Sequence, residues 1–288
     1  MNKGKNLFAA SFLAPGLIVF IGFIIIPIIM NFSYSLSEWD AIGSPEFIGL
    51  KNYIDIFTND PGYWEAAKNN LIIVFFAFIV QNPVAFIIAW LVTRIRRFSK
   101  AYQSVFFLPV VISTVATATM FYIMLNSDVG VISKFLAMLG IEYAWLSDPK
   151  VVLVSVIAPQ LWQYLGIHFI MFLGGIQAIE NDVLESARID GASTGCLLWR
   201  IIVPLSWPSI QMSLIYTFIG CLKTFDYSYI MTKGGPGNAS SFIATILFKE
   251  GFMKNHYGYA TAIAVTIFVY SLVFTLIFKT VTKKMDLN

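Results

Sequence analysis

Apolar residues fall in six long runs along this chain, at about 12–33, 70–92, 104–125, 151–178, 209–231 and 259–281. A helix needs about 20 mostly apolar residues to cross a bilayer, so each run is read as one spanning helix. In lipid such a run is stable because a helix satisfies its own backbone polar groups. Pro15, Pro27, Pro83, Pro109 and Pro159 lie within or near the ends of runs. They are read as kinks in packed helices, whose neighbours satisfy the backbone groups they release. The first run follows Lys3 and Lys5 and so begins like a signal peptide. It exceeds twenty residues and lacks a small-residue cleavage site, so it is read as a retained span.

Between the fourth and fifth runs the pattern turns polar and helical. Residues 181–193, NDVLESARIDGAS, place Asp182 as a helix cap with Glu185 three residues on, in the manner of a capping box. Val183, Leu184 and Ala187 form one apolar face. Gly191 ends this helix because it tolerates positive φ. Ser193 or Thr194 caps a second helix, with Leu197, Leu198, Ile201 and Ile202 on its inner face. Pro204 and Pro208 are expected to stop it and lead into the fifth run. The reading is a compact knob of two short helices within residues 180–208.

Charge orients the runs. Lys3, Lys5, Arg94, Arg96, Arg97, Lys100, Arg188, Arg200, Lys279, Lys283 and Lys284 flank one side. Only Lys51, Lys68, Lys134, Lys150, Lys233, Lys249 and Lys254 lie on the other, over longer stretches. Positive residues mark the cytoplasmic side, which puts both termini and the knob inside. The knob itself carries Glu180, Asp182, Glu185 and Asp190 against two arginines. A hairpin lying on the bilayer favours lysine and arginine, so a protein partner is the preferred reading.

Composition narrows the function classes. The 288 residues are 58% hydrophobic and 12% charged, with a mean hydropathy of +0.74; a soluble domain carries about 25% charged residues. A net charge of +3 with no basic block argues against nucleic acid. Cys196 and Cys221 make no disulfide framework. No GxxxxGK[ST] is present, so ATP is not bound through a P-loop here. A membrane-embedded enzyme would need a metal cluster or a nucleophile with its base, yet His168 and His256 stand alone on different segments. An ion-coupled secondary transporter should show an internal repeat and deep carboxylates. No clear repeat is visible, and Asp226 is the only acidic residue within a run.

Polar stripes mark a candidate pore. Gln160, Tyr164 and His168 recur at helical spacing in the fourth run, with Trp162 and Gln163 nearby. Tyr216, Gly220, Lys223 and Tyr227 do so in the fifth, and Asp226 lies within pairing reach of Lys223. Charges inside a membrane are costly and should face protein or water. Aromatic faces with hydroxyls and amides suit a sugar. Tyrosine and tryptophan also serve as interfacial anchors, so the stripes alone leave both readings open.

Four stretches carry a resemblance. Glu185-Ser186-Ala187, then Asp190-Gly191-Ala192, then Pro204, resembles the EAA loop of binding-protein-dependent ABC importers. Ser186 replaces the middle alanine, and Glu180 stands where a proline is common. FIGLKNY (Phe47–Tyr53), TKGGPGNAS (Thr232–Ser240) and YGYATAIAV (Tyr257–Val265) are similar to motifs of the carbohydrate-type first permeases, in the same order. The resemblance covers nearly the whole chain. It implies an all-α, six-span permease fold, a single transmembrane domain over 1–288, resident in the cell membrane. It implies a coupling loop in which Glu185 pairs with a basic ATPase residue, Gly191 makes the bend, and Ala187 and Ala192 allow close approach. It implies that Gly234, Gly235, Pro236 and Asn238 meet a solute-binding protein. The implied partners are a second homologous permease, two ATPase subunits and an external sugar-binding protein. No cofactor is expected in this chain; ATP and Mg belong to the ATPase subunits. An oligosaccharide is the expected solute. Glycerol phosphate is a weaker alternative, because Lys223 is the only deep positive charge.

Overall fold

The computed structural model describes residues 3–95 and 97–283, with side chains from Ser11 onward. Arg96 and Lys284, two of the charges used above for orientation, lie outside the described residues. The main helices are α1 (Ser11–Ser35), α2 (Pro61–Thr93), α3 (Ser99–Val111), α4 (Thr114–Met124), α5 (Val152–Gln177), α6 (Asn181–Ile189), α7 (Thr194–Leu205), α8 (Trp207–Leu222), α9 (Asp226–Thr232) and α10 (Tyr257–Thr282). Among the described residues α1, α2, α5 and α10 are each long and apolar enough to cross a membrane. Two further spans arise only if bent pairs are joined: α3 with α4, at 86°, and α7 with the α8–α9 run, at 69°.

Every apolar run is helical, but the third and fifth are not straight. Between α3 and α4, Ile112 and Ser113 adopt extended ψ values of 139° and 129°. The break frees carbonyls that lipid cannot satisfy. Gln163 on α5 satisfies them: its Nε2 donates to Pro109 O at 3.2 Å and to Ile112 O at 2.9 Å. The fifth run is interrupted at Lys223–Phe225, where Phe225 has φ −141° and ψ −56°. There Asn70 Nδ2 donates to the buried carbonyl of Cys221 at 2.7 Å.

Prolines leave a second signature. π-helical turns occupy Ile21–Ile25, Ala77–Gln81 and Leu197–Ile202. Each ends two residues before a proline: Pro27, Pro83 and Pro204. A proline ring clashes with the carbonyl four residues back, and a wider turn moves that carbonyl away. Pro204 therefore does not stop its helix as expected; α7 runs through it to Leu205, and the bend falls at Ser206.

The chain forms two compact units. One comprises residues up to Pro61 with Ile246–Phe268; the other comprises Gly62–Thr245 and the chain from Val269 on. In the first, the FIGLKNY motif has a structural reason. Gly49 takes φ +63°, Asn52 Nδ2 donates to Ser35 O and Ser37 O, both at 3.0 Å, and Tyr53 Oη donates to Ser35 Oγ at 2.7 Å. These bonds tie down the C-terminal end of α1. Gly258, at the start of α10, donates to Trp39 O at 3.1 Å. A Cβ there would collide with Ser37 O. The second unit holds two apolar clusters. One is built on Ile73, Ala77, Val156, Ile157 and Phe242. The other joins Ala85, Ala89, Phe169 and Phe172 to Leu198 and Ile202 of α7.

Candidate translocation cavity and coupling knob

A cavity of about 230 Å³ opens inside the second unit. All seven residues of the two stripes line it, Gln160, Tyr164, His168, Tyr216, Gly220, Lys223 and Tyr227, together with Asp226. Gln81, Thr114, Thr217, Thr224 and Phe225 complete the polar and aromatic wall. Lys223 and Asp226 do not pair. The spacing rule that put them within reach holds on a continuous helix, and the chain breaks between them. Tyr227 borders the cavity but is 1% exposed, and its hydroxyl donates to Gln163 Oε1 at 2.7 Å. Its polar end is thus committed to holding α9 against α5. Tyr164 Oη lies 3.2 Å from Thr114 Oγ1, and the rings of His168 and Tyr216 meet edge to face at 6.0 Å.

A buried network stands behind the wall. Asn82 Nδ2 donates to Ala77 O and to Thr217 Oγ1, each at 2.9 Å. Ser213 Oγ donates to Asn82 Oδ1 at 2.6 Å and lies 2.8 Å from His168 Nδ1. On the cavity side, Gln160 Nε2 donates to Thr224 Oγ1 at 2.7 Å, while Gln160 Oε1 is buried with no partner. Sequence reasoning missed Asn82, Ser213, Gln81 and Thr224. The signal was available, because a polar residue inside an apolar run is a functional candidate by default.

The knob is built as α6 and α7. Its entry differs from expectation: α6 begins at Asn181 after Glu180, without a side-chain cap. Asp182 sits inside the first turn and forms no capping box with Glu185; its charge still favours that end of the helix dipole. The exit matches expectation. Gly191 has φ +81°, its N–H donates to Arg188 O at 3.0 Å, and Ala192 N–H donates to Ala187 O at 3.0 Å. This pair of bonds closes a helix end through a left-handed residue. Ser193 Oγ then accepts from Cys196 N at 3.3 Å and caps α7. Leu184 packs towards Leu198 and Ile202. Glu185, Ser186, Asp190 and Gly191 are exposed, and Ala187 and Ala192 are half-buried. Two apolar residues not anticipated also stand out from the knob: Ile189 is 81% exposed and Trp199 69%.

The GGPGN segment turns inward more than a contact loop would. Gly234 is buried, Gly235, Pro236 and Asn238 are half-buried, and only Gly237 is exposed. Ser240 Oγ donates to Gly235 O and Ser241 Oγ to Gly234 O. Asn69 Nδ2 donates to Ser241 O at 2.9 Å. Much of the motif therefore serves to knot the chain after α9. In the first unit an acid-rich groove of about 690 Å³ is lined by Asp40, Glu46, Asp55, Asp60 and Glu250.

The chain as a whole matches known proteins. The family described as "Binding-protein-dependent transport system inner membrane component" matches residues 81–287. The chain belongs to that family. As a permease of it, the chain is 36% identical over 272 residues to "Probable ABC transporter permease protein YurN" of Bacillus subtilis (strain 168), covering 92% of each. It is 28% identical over 270 residues to "Arabinooligosaccharides transport system permease protein AraP" of the same organism, covering 92% of this chain and 85% of that one. In fold it superposes on a chain of the bacterial alginate ABC transporter, solved in complex with alginate pentasaccharide-bound periplasmic protein. The TM-score is 0.83 at 23% identity, over 99% of this chain and 98% of that one. This permease is thus a multi-pass membrane protein of the ABC importer class.

Proposed function

We propose that this permease is one half of the translocation pore of an ATP-driven oligosaccharide importer. Both of its termini and its knob face the cytoplasm. The observation that carries the reading is the knob: a compact helical elbow, closed at Gly191, with Glu185 and Asp190 exposed and rooted in the same apolar cluster as α2 and α5. An acidic, rigid projection joined to the pore helices is what a lever needs. ATPase subunits that close on ATP move the knobs, and the attached helices switch the pore between outward and inward access. Glu185 pairs with a basic residue of the ATPase, Gly191 holds the bend, and Ala187 and Ala192 let the partner approach.

The complete importer contains a second, homologous permease, two ATPase subunits holding ATP and Mg, and an external binding protein that delivers the sugar. The naming of AraP for arabinooligosaccharides supports the sugar class. So does the cavity, whose wall alternates aromatic rings with hydroxyls and amides, and whose two charges cancel. The test is uptake into proteoliposomes by the co-expressed importer, using a panel of labelled oligosaccharides. Uptake that requires internal ATP and loaded binding protein is the expected result. Uptake driven by an ion gradient without an ATPase overturns the reading in favour of a secondary transporter.

A further inference from the structure

A second cavity of the same unit, of about 640 Å³, lies where the knob meets the ends of α2 and α5. Arg94 and Arg188 both line it, and among the described residues no aspartate or glutamate does. Helical spacing brings the arginines there. Trp90 and Arg94 are four residues apart at the end of α2, so the guanidinium falls over the indole, with Cζ 4.1 Å from the ring centre. Asn181, Leu184 and Arg188 recur three and four residues apart on α6, which turns one stripe of the knob back towards the spans. Glu180, Asp182, Glu185 and Asp190 are exposed and do not line the cavity. The knob is therefore divided, acidic where it projects and basic where it faces its own spans. Neither guanidinium forms an ion pair or donates a hydrogen bond among the described residues. Stacking on an indole leaves the N–H fork of an arginine open to a planar or tetrahedral anion. Two cations lining one cavity repel, and an anion shared between them reverses that cost. Ser99, also on the wall, starts α3, whose first turn has no side-chain cap and carries the positive end of the helix dipole.

We infer that this cavity binds the phosphate headgroup of an anionic membrane lipid, held between Arg94 and Arg188. The location selects a lipid as the source of the phosphate. α2 and α5 are both long and apolar enough to cross a membrane, and the cavity lies at their ends. Beside Ser99 the chain exposes Phe98, at 68%, and Tyr102, at 43%, and aromatic side chains of this kind sit at headgroup level. Basic pockets between spanning helices on the cytoplasmic side hold anionic headgroups, and arginine meets phosphate with paired, charge-assisted bonds. A lipid bound here ties α6 to the ends of α2 and α5, so it braces the joint through which the lever acts. The site does not depend on the importer reading; its effect on the lever rests on that reading.

The experiment titrates the assembled complex, in neutral detergent, with phosphatidylglycerol, phosphatidylcholine and free glycerol phosphate, and counts bound molecules by native mass spectrometry. Arg94→Gln and Arg188→Gln should each weaken phosphatidylglycerol binding about fivefold, and the double variant about 25-fold. Arg200→Gln removes an exposed arginine of the knob that lies outside the cavity and should change nothing. Phosphatidylcholine, which carries no net charge, should bind alike in all of them. Arg94→Lys keeps the charge and should keep most of the binding, which separates loss of the site from loss of the fold. Equal phosphatidylglycerol binding in every variant, or the same loss in Arg200→Gln, overturns the inference. Glycerol phosphate binding as tightly as the lipid would assign the cavity to a soluble phosphate and overturn the lipid. Loss of a protein subunit in place of lipid would show a protein contact and overturn it too. The bracing is read from ATP hydrolysis stimulated by loaded binding protein, in phosphatidylcholine vesicles with and without phosphatidylglycerol. The wild type should respond to phosphatidylglycerol and the double variant should not; equal responses would overturn the bracing. If no vesicle supports stimulated hydrolysis while lipid binding still depends on the two arginines, the importer reading fails and the lipid site stands.

Discussion

Gln163→Leu should cost this permease more than any neighbouring substitution on α5. The side chain is 1% exposed and holds three elements together. Its Nε2 donates to Pro109 O and Ile112 O at the break between α3 and α4, and its Oε1 accepts from Tyr227 on α9 at 2.7 Å. Leucine fills similar space and offers no polar atom. Two carbonyls at the break and one phenol are then left buried. In membrane proteins a side-chain hydrogen bond is worth about 0.6 kcal/mol on average and about 1.7 at most. Three such bonds give a loss of roughly 2–5 kcal/mol. The assay is reversible unfolding in mixed micelles, with Val154→Ala, at a 54% exposed position on the same helix, as the control. A loss below about 0.5 kcal/mol, no larger than the control, would refute the claim that Gln163 closes the broken spans.

Other expectations are narrower. Gly175→Ala should disrupt the approach of α5 to α8, because a Cβ there collides with Ser209; Gly175→Ala with Ser209→Gly should recover assembly, read by size-exclusion chromatography and thermal melting. Gly166→Ala meets the backbone carbonyl of Phe106, so no partner substitution should rescue it. Gly191→Val, at φ +81°, should strain the knob by about 1–2 kcal/mol and lower ATPase stimulation without preventing insertion in the membrane. Trp199→Ala should leave the permease folded, since the side chain is exposed, and should weaken retention of the ATPase on affinity resin about tenfold or more.

Hydropathy located the apolar runs because lipid imposes a length on a span, and four of them are single helices long enough to cross a membrane. It did not reveal that the third and fifth are broken. Those breaks depend on side chains far away in sequence, Gln163 and Asn70, which satisfy the freed carbonyls. Helical spacing on single runs found Gln160, Tyr164, His168, Tyr216 and Gly220, since α5 and α8 are regular where those residues sit. It misjudged Lys223 and Asp226, because a spacing rule cannot see a break between them. The knob's exit was readable from Gly191 and Ser193, whose local chemistry needs no tertiary help. Its entry was not: the Asp182–Glu185 spacing reads as a capping box, yet the helix begins one residue earlier, at Asn181, without a side-chain cap. The network of Asn82, Ser213 and His168 joins three helices, and pairing across helices leaves no periodic trace in one sequence.

The most direct test of the lever is ATP hydrolysis by the reconstituted importer, with and without loaded binding protein, for wild type and Glu185→Ala. The Glu185 side chain is exposed and makes no hydrogen bond or ion pair among the described residues, so the variant should assemble and bind sugar normally. Loss of the stimulation by loaded binding protein, with basal hydrolysis retained, is the predicted result. Full stimulation in Glu185→Ala would contradict the account.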